Sequence, residues 1–447
     1  MNTEQPQGFM HWLKESVTVK LAFVGILTLM LMIPSALVSN LITERAQRQD
    51  ETIKEVTDQY SGSQLIQGPI LAIPYREQVK ENDEKGNSVT REVIENLYVL
   101  PNELNYKGGL NSEVLHRGIY EVPVYNGRIQ ISGNFSNIDL SSLSLNADQL
   151  IPEKASLLFS ISDLKGLKTN PQVHVGDRNL TAEPVAGESI FGNGLRVAAD
   201  LTGLTDKTIP FSFDLDLKGS EELSFLHLGK TTDVEVKGNW KSPSFDGRYL
   251  PDVRDVTTRG FSAKWRMLYY NRPFPQQWVK DITLLTNEKK AADATFGIKL
   301  KLPVDQYQKT TRTSKYALLI IMLTFISLFL TELIGKKKVH VFNYILIGAA
   351  MVIYYTLLLS FSEQVGYAIA YLIASVATIA LITAFLTSLL KNKKAAVIFA
   401  LILTLFYSFI YVIIQLEDLS LLIGSIALFI IIAALMYTSR KINWDKN

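Results

Sequence analysis

Long apolar stretches flank one long polar segment in this sequence. Six stretches are long enough to cross a bilayer as helices, which takes about 20 mainly apolar residues; they are 21–42, 316–334, 341–360, 366–390, 395–415 and 419–438. The first contains Pro34 and lacks an A-x-A cleavage site, so we interpret it as an uncleaved anchor rather than a secretory signal. The pattern predicts an α+β membrane protein with one N-terminal and five C-terminal transmembrane helices.

The polar segment, residues 43–315, predicts a β-rich domain. In "TIPFSFDLDLKG", every second residue from Ile209 to Leu217 is apolar, which is the period of a half-buried strand. Gly, Asn, Asp and Pro separate further short runs of this kind, and helical periodicity is limited to residues 44–59, as a continuation of the first span. We expect an antiparallel, sandwich-like insert, either as one unit or as two subdomains.

Lysine and arginine in the short loops predict the orientation, because positively charged loops stay in the cytoplasm. The loops "GKKKVH" and "KNKK" and the tail "SRKINWDKN" carry nine such residues, whereas "SFSEQVG" and "QLEDLS" carry none. Basic residues that flank the insert, such as Arg45 and Lys309, oppose this count, but long domains translocate largely regardless of charge. We therefore expect a cytoplasmic N-terminus at 1–20, a first span at 21–42, an external domain at 43–315, a five-helix transmembrane domain at 316–438 and a cytoplasmic tail at 439–447.

Composition narrows the chemistry. The 447 residues carry a formal net charge of +2 and no basic tract with interleaved aromatic residues, so we expect no nucleic acid partner. The absence of cysteine excludes disulfides, thiolate metal sites and cysteine nucleophiles. His116, His174 and His227 stand alone, without the H-E-x-x-H spacing of a zinc hydrolase.

One segment of the insert comes near a catalytic motif. "GESIFGNG" has Ser189 where a nucleophile elbow would have its serine, but the second Gly is one residue too late for G-x-S-x-G. A Gly-rich turn is the better interpretation. We therefore expect no enzyme activity, no metal and no cofactor.

The loop "NWKSPSFDGRYLP" (239–251) is the densest cluster of aromatic and turn residues. Trp240, Phe245 and Tyr249 beside Arg248 would suit a surface that contacts a peptide or a glycan. Alternatively the aromatic side chains pack into the sandwich, which is the commoner fate of such residues and the interpretation we favour.

Two carboxylates lie close to the predicted spans. Glu332 precedes Lys336 by four residues, which predicts an ion pair at a helix end. Glu363 lies between two spans, at the opposite membrane face from Glu332. We favour a structural hairpin there, in which Ser362 caps the helix that starts near Gly366 and Glu363 lies in its first turn; a functional contact of Glu363 is the alternative.

Several blocks of the sequence resemble the CreD family of bacterial inner-membrane proteins. They occur in order from residue 21 to residue 444 and include "SGSQLIQGPILAIPY", "RGIYEVPVYNGRIQISGNF", "GNWKSPSFDGRYLP", "PVDQYQKTTRTSKYALLIIMLTF" and "LSFSEQVGYAIAYLIAS". The resemblance implies an inner-membrane protein with a periplasmic domain, linked to cell envelope integrity and to the Cre two-component system, without an established reaction. Two positions depart from the family pattern, since Gln364 stands where members often have His and Val341 where they often have Pro, so a Glu-His proton relay is in doubt.

These observations favour a non-enzymatic envelope protein whose periplasmic insert meets a partner. Besides the lipid bilayer, we expect that partner to be a periplasmic or other envelope protein, or a glycan. A transporter or flippase-like protein that uses the C-terminal helices is the alternative, although no inverted repeat or paired broken helices are recognisable. A signal-sensing role would require a partner in the membrane, because the predicted cytoplasmic loops are short.

Overall fold

The computed structural model describes residues 17–82, 88–136, 138–185, 190–192, 194–203, 207–302, 306–335, 339–416 and 420–439. These residues form two compact units. One unit, the helical unit, consists of Met1–Asp50 and Val304–Asn447, and the other, the β unit, of Glu51–Pro303.

The helices lie mainly in the two flanks of the sequence. They are α1 (Val17–Tyr60), α2 (Glu288–Ala294), α3 (Gln306–Lys315), α4 (Ala317–Gly335), α5 (Val341–Val365), α6 (Tyr367–Leu390), α7 (Lys393–Gln415) and α8 (Ser420–Ser439). The short α2 belongs to the β unit. The helical periodicity at 44–59 is confirmed, since α1 is continuous from the first apolar stretch to Tyr60.

Four of the described helices, α1, α5, α6 and α7, are long and apolar enough to cross a membrane. Helices α3 and α4 meet at a bend of 43° and count as a fifth span if they are taken together. In α8 the apolar stretch is only Leu422–Ala433. The multi-pass character is therefore confirmed, whereas the count of six spans stays a prediction.

The central segment forms two large β-sheets. The nine-stranded sheet contains β1 (Gln64–Asn82), β2 (Ser88–Val99), β5 (Ser156–Ile161), β8 (Glu183–Pro184), β9 (Leu195–Ala198), β11 (Glu222–Leu226), β13 (Pro243–Gly247), β16 (Gln277–Val279) and β17 (Thr295–Leu300). The eight-stranded sheet contains β3 (Glu103–Arg117), β4 (Tyr120–Phe135), β6 (Gln172–Val175), β7 (Arg178–Thr181), β10 (Ile209–Ser220), β12 (Thr231–Gly238), β14 (Val253–Thr257) and β15 (Gly260–Leu268). The order of the eight-stranded sheet is β14-β15-β12-β3-β4-β10-β6-β7.

The two sheets pack face to face around one hydrophobic core. The alternation in β10 is confirmed, because its apolar residues from Ile209 to Leu217 are buried. Aromatic pairs join the sheets across the core: the ring centroids of Phe159 and Phe213 are 4.7 Å apart. Burial of these side chains is the main stabilising contribution, at roughly 1.5–3 kcal/mol for each large apolar residue.

Two strand pairs depart from the expected antiparallel arrangement. Strand β1 pairs in parallel with β11, and β3 pairs in parallel with β12 over eight residues, Glu103 to Leu110. Parallel neighbours need a long connection between them, and more than a hundred residues separate these strands in the sequence. The alternation pattern shows which face of a strand is buried but not the direction of its neighbour, so the sequence did not predict these pairs.

Candidate functional site

Glu363 lies in the last turn of α5, with its side chain largely buried. Its Oε1 accepts a hydrogen bond of 2.9 Å from the Tyr307 hydroxyl of α3, and Arg45 Nε is 4.0 Å from the same oxygen. The predicted turn between two spans is confirmed, because α6 starts immediately after Gly366. The carboxylate therefore joins side chains from three helices of the helical unit, α1, α3 and α5.

The capping role predicted for Ser362 is wrong. The N-cap of α6 is Gly366, which has φ of +79° and provides no side-chain acceptor, whereas Ser362 Oγ donates to Leu359 O at 2.8 Å. Glu363 likewise belongs to the end of α5 rather than to the first turn of α6. Gly366 is the single residue between the end of α5 at Val365 and the start of α6 at Tyr367, so Ser362 is too far from α6 to cap it. Glycine adopts the positive φ of this turn without a steric cost.

Glu332, near the end of α4, is buried in a polar network. Its carboxylate pairs with Lys20 of α1, and it accepts hydrogen bonds from Val339 N at 3.0 Å and from the Tyr344 hydroxyl at 3.1 Å. Lys20 Nζ also donates to Val339 O at 3.0 Å. Lys336, its predicted partner, lies outside the described residues.

Sequence reasoning missed the partners of both carboxylates. Arg45 entered only as a basic residue that flanks the insert, and Lys20, Tyr307 and Tyr344 were given no role. A usable signal exists in the sequence, because the first span has a basic residue at each end and two later spans each carry a carboxylate near one end, and these groups can meet if the helices pack side by side. His340, the residue before Val341, is the N-cap of α5. Its Nδ1 accepts a hydrogen bond of 3.2 Å from Phe342 N.

The loop 239–251 contacts the core of the β unit through its aromatic side chains. Trp240 Nε1 donates to Lys301 O at 3.1 Å, and the Tyr249 hydroxyl donates to Asn271 O at 2.6 Å. Phe245 packs edge-to-face on Trp265, with centroids 5.9 Å apart. Arg248 is exposed. These contacts favour the packed arrangement of the loop over an aromatic binding surface.

A second polar network is buried inside the β unit around His227. Its Nδ1 lies 3.0 Å from Thr232 Oγ1 and its Nε2 3.3 Å from Leu268 O. Since a carbonyl oxygen only accepts, Nε2 carries the proton and Thr232 donates to Nδ1. Burial lowers the pKa of His227 to about 4, so the ring is neutral at physiological pH.

Arg272 lies beside this network and is also buried. Its guanidinium donates to Leu228 O, to Phe274 O at 3.0 Å and to Gln276 Oε1 at 2.9 Å. Burial lowers the pKa of Arg272 to about 10, so the side chain keeps its charge at neutral pH. Because its partners hold the turn after β11 and the chain after β15 together, we assign this cluster a structural role.

A shallow groove of about 750 Å³, with charged, amide and glycine residues in its lining, crosses the solvent face of the eight-stranded sheet. The strand register places its residues in one row across six strands, namely Asp255, Ser262, Lys237, Gly109, Arg128 and Asp216. Gly109 makes a gap in this row, since a Cβ atom at this position would meet no other atom within 4 Å. We call this surface the Gly109 groove.

Charged and amide side chains form the walls of the Gly109 groove. Lys237 and Arg128 flank the gap; Lys237 pairs with Glu235 at 2.9 Å and Arg128 with Asp214 at 2.8 Å. Asn111 and Asn126 lie opposite each other in the next row. The groove therefore offers cationic donors, carboxylate acceptors and neutral amides to a polar partner. Nothing in the sequence pattern had indicated this groove.

A second cavity, of about 930 Å³, lies between α6 and α7 in the helical unit. Its lining has no acidic or basic side chain and contains the hydroxyl-bearing residues Tyr371, Ser375, Thr383, Thr387, Thr404, Tyr407, Ser408 and Tyr411. The Tyr371 hydroxyl donates to Tyr407 O at 2.6 Å. We call this surface the α6/α7 cleft.

Ligands for a metal ion are not brought together in the part of the chain that the structure describes. No group of three or more His, Asp or Glu side chains suited to hold a metal ion occurs among these residues. Ser189 lies outside them.

Comparison with known proteins gives a match along almost the whole chain. A family model described as "Inner membrane protein CreD" matches residues 16–445. Inner membrane protein CreD of Escherichia coli (strain K12) is 30% identical over 419 residues, which cover 93% of this chain and 91% of that protein.

Proposed function

Because this chain belongs to the CreD family of inner membrane proteins, we propose that it is a non-enzymatic protein that supports cell envelope integrity by holding a polar envelope component on its β unit. In this proposal the β unit lies in the periplasm and both termini lie in the cytoplasm. The distribution of Lys and Arg among the short loops supports that orientation. A link to the Cre two-component response belongs to the same proposal and rests on the family resemblance.

The Gly109 groove is the observation that carries the proposal. A gap at glycine, flanked by Lys237 and Arg128 and bordered by asparagine amides, suits an extended polar partner such as a peptide or a glycan chain. Both cations already face a carboxylate, so a partner is recognised by hydrogen bonds to several groups rather than by one strong charge. A solvent-facing glycine in the middle of a central strand is otherwise unfavourable, because it weakens the strand and packs no side chain.

Filling the groove tests this function. Gly109→Trp places a large side chain in open space on the solvent face, so the sheet is expected to form normally. We expect cells that carry the variant to lose resistance to detergent or to large antibiotics as fully as cells that lack the protein, at unchanged protein abundance in the membrane. The matched control is Gln130→Trp, which adds the same side chain to the exposed face of β4 outside the groove.

The proposal would be overturned if cells with Gly109→Trp kept full resistance while cells that lack the protein lost it. A photo-crosslinking residue at position 111 then identifies the partner in living cells. Recovery of a defined periplasmic protein or glycan fragment that Gly109→Trp abolishes supports the proposal, and the absence of any crosslinked envelope component counts against it.

A further inference from the structure

Helix α3 is polar, although it belongs to the helical unit. Its buried face consists of four side chains that each carry a hydroxyl, Tyr307, Thr310, Thr313 and Ser314. After Lys315 the chain bends by 43° into the apolar helix α4. A short polar helix that leads directly into an apolar span is typical of the membrane–water interface rather than of the hydrocarbon.

The contacts of α3 place it at one end of the spans. The hydroxyls of Thr313 and Tyr367 are hydrogen-bonded at 2.7 Å, and Tyr367 is the first residue of α6. Lys309 Nζ donates at 3.3 Å to Oε1 of Gln415, which is the last residue of α7. The first turn of α3 also binds the end of α5, through the hydrogen bond of Tyr307 described above. Because α5, α6 and α7 all begin or end at this level, α3 lies at one surface of the membrane.

The outward face of α3 is basic. Arg312 and Lys315 are three residues apart and therefore share one side of the helix, opposite its buried hydroxyls. Arg312 is half-buried and Lys315 is exposed. Gln308 is exposed one turn before Arg312. Among the residues that the structure describes, Lys315 forms no ion pair. This face thus offers two cations and an amide at the membrane surface.

Exposed apolar side chains follow the two cations at the start of α4. Leu318 and Met322 are 40% and 41% exposed, and they lie three and seven residues after Lys315. At 1.5 Å per residue they are about 4.5 and 10.5 Å further along the chain. A phospholipid has the same order of groups, with a charged headgroup at the surface and acyl chains below it. The start of α4 therefore extends the basic face of α3 in the way that a single lipid molecule requires.

The predicted orientation does not account for these cations. Basic residues that flank the insert, Lys309 of α3 among them, oppose the count of Lys and Arg in the short loops. Arg312 and Lys315 belong to the same flank. Since topology does not require positive charge at this membrane surface, we looked for a ligand that does.

We propose that Arg312 and Lys315 bind the headgroup phosphate of an anionic phospholipid, with an acyl chain along Leu318 and Met322. The guanidinium and the ammonium group donate charge-assisted hydrogen bonds to the phosphate oxygens. A zwitterionic choline headgroup brings a further cation beside these two and is therefore bound less tightly. Each Lys or Arg near an anionic lipid surface strengthens binding roughly fivefold.

Lipid binding to the purified full-length protein tests this site. The delipidated protein in a non-ionic detergent is titrated with phosphatidylglycerol or with phosphatidylcholine of the same acyl chains, and bound lipid is counted by native mass spectrometry. We expect the wild type to bind phosphatidylglycerol at least about fivefold more tightly than phosphatidylcholine. The double variant Arg312→Gln with Lys315→Gln is expected to lose this preference.

Two further variants separate the site from a general effect of charge. Lys393→Gln with Lys394→Gln removes two exposed cations at the opposite end of α7 and should keep the preference. Arg312→Lys with Lys315→Arg retains both charges and should keep it as well.

Several results would overturn the proposal. They are equal affinity of the wild type for the two lipids, an equal loss of preference in the Lys393 and Lys394 double variant, and a loss of preference in the variant that retains both charges. Displacement of bound phosphatidylglycerol by an excess of inorganic phosphate would also overturn it, because the acyl chain would then contribute nothing to binding.

Discussion

The helical unit and the β unit bury charged side chains in different ways. In the helical unit Glu332 is matched by Lys20, and the backbone of Val339 binds both partners. In the β unit Arg272 is held by two carbonyl oxygens and the amide oxygen of Gln276. Helices hydrogen-bond their backbone groups internally and leave few of them free, so a carboxylate buried between helices is paired with an opposite charge. A β-sandwich with many strand ends has spare carbonyl groups that solvate a cation directly.

The largest expected effect comes from breaking the pair in the helical unit. Glu332→Ala leaves Lys20 without a counter-charge and removes the acceptor of Val339 N and of the Tyr344 hydroxyl. We expect a loss of roughly 3–5 kcal/mol in the free energy of unfolding, measured by SDS titration in mixed micelles.

Two further variants make this result specific to the buried pair. Glu44→Ala removes an exposed pair with Arg48 and is expected to cost at most about 0.5 kcal/mol. The double variant Glu332→Leu with Lys20→Met removes both charges and should recover most of the loss. If Glu332→Ala lowered the free energy of unfolding no more than Glu44→Ala, the buried pair would not stabilise the helical unit as described.

The neutral histidine of the β unit predicts an effect of intermediate size. The pKa of His227 is about 4 in the folded protein and about 6.5 when unfolded, so the unfolded state binds more protons between these values. Stability is fully present above pH 6.5 and is lost as the pH falls toward 4. Between pH 7 and pH 5 we expect the β unit to lose about 2 kcal/mol, measured by urea unfolding of the full-length protein with tryptophan fluorescence.

His227→Gln is expected to flatten this pH dependence, because glutamine does not titrate in this range. His116→Gln, which makes the same substitution at an exposed histidine, is the matched control. An identical slope in wild type and His227→Gln would show that other groups of the β unit dominate its response to acid.

The smallest effect is expected at the second carboxylate of the helical unit. Glu363→Gln keeps an acceptor for the Tyr307 hydroxyl and loses only the 4.0 Å approach of Arg45, which is partly exposed. We expect a change of about 1 kcal/mol or less and an unchanged envelope phenotype at normal abundance. Loss of the phenotype with intact folding would instead favour the transporter alternative, in which Glu363 takes part in transport.

Local patterns in the sequence predicted the main apolar helices and part of the strands. The alternation from Ile209 to Leu217 predicted both the strand β10 and its buried face, because a strand repeats every two residues. The apolar stretches predicted α5, α6 and α7, and the turn at Gly366 followed from the charged and polar residues between two of them. The polar network around Glu332 was foreseen only as a local pair with Lys336.

Tertiary structure alone decided which of these elements meet. Lys20 and Glu332 are 312 residues apart in the sequence, and Gly109 becomes a groove only where β3 is flanked by β4 and a parallel β12. Periodicity within a helix or strand is encoded over a few neighbouring residues, whereas the partner of a strand or of a buried charge depends on packing of the whole unit. The sequence by itself therefore determined the main apolar helices, the β-rich insert, the buried face of β10 and the family, and the folded chain decided the ion pairs, the parallel strands and the two candidate binding surfaces.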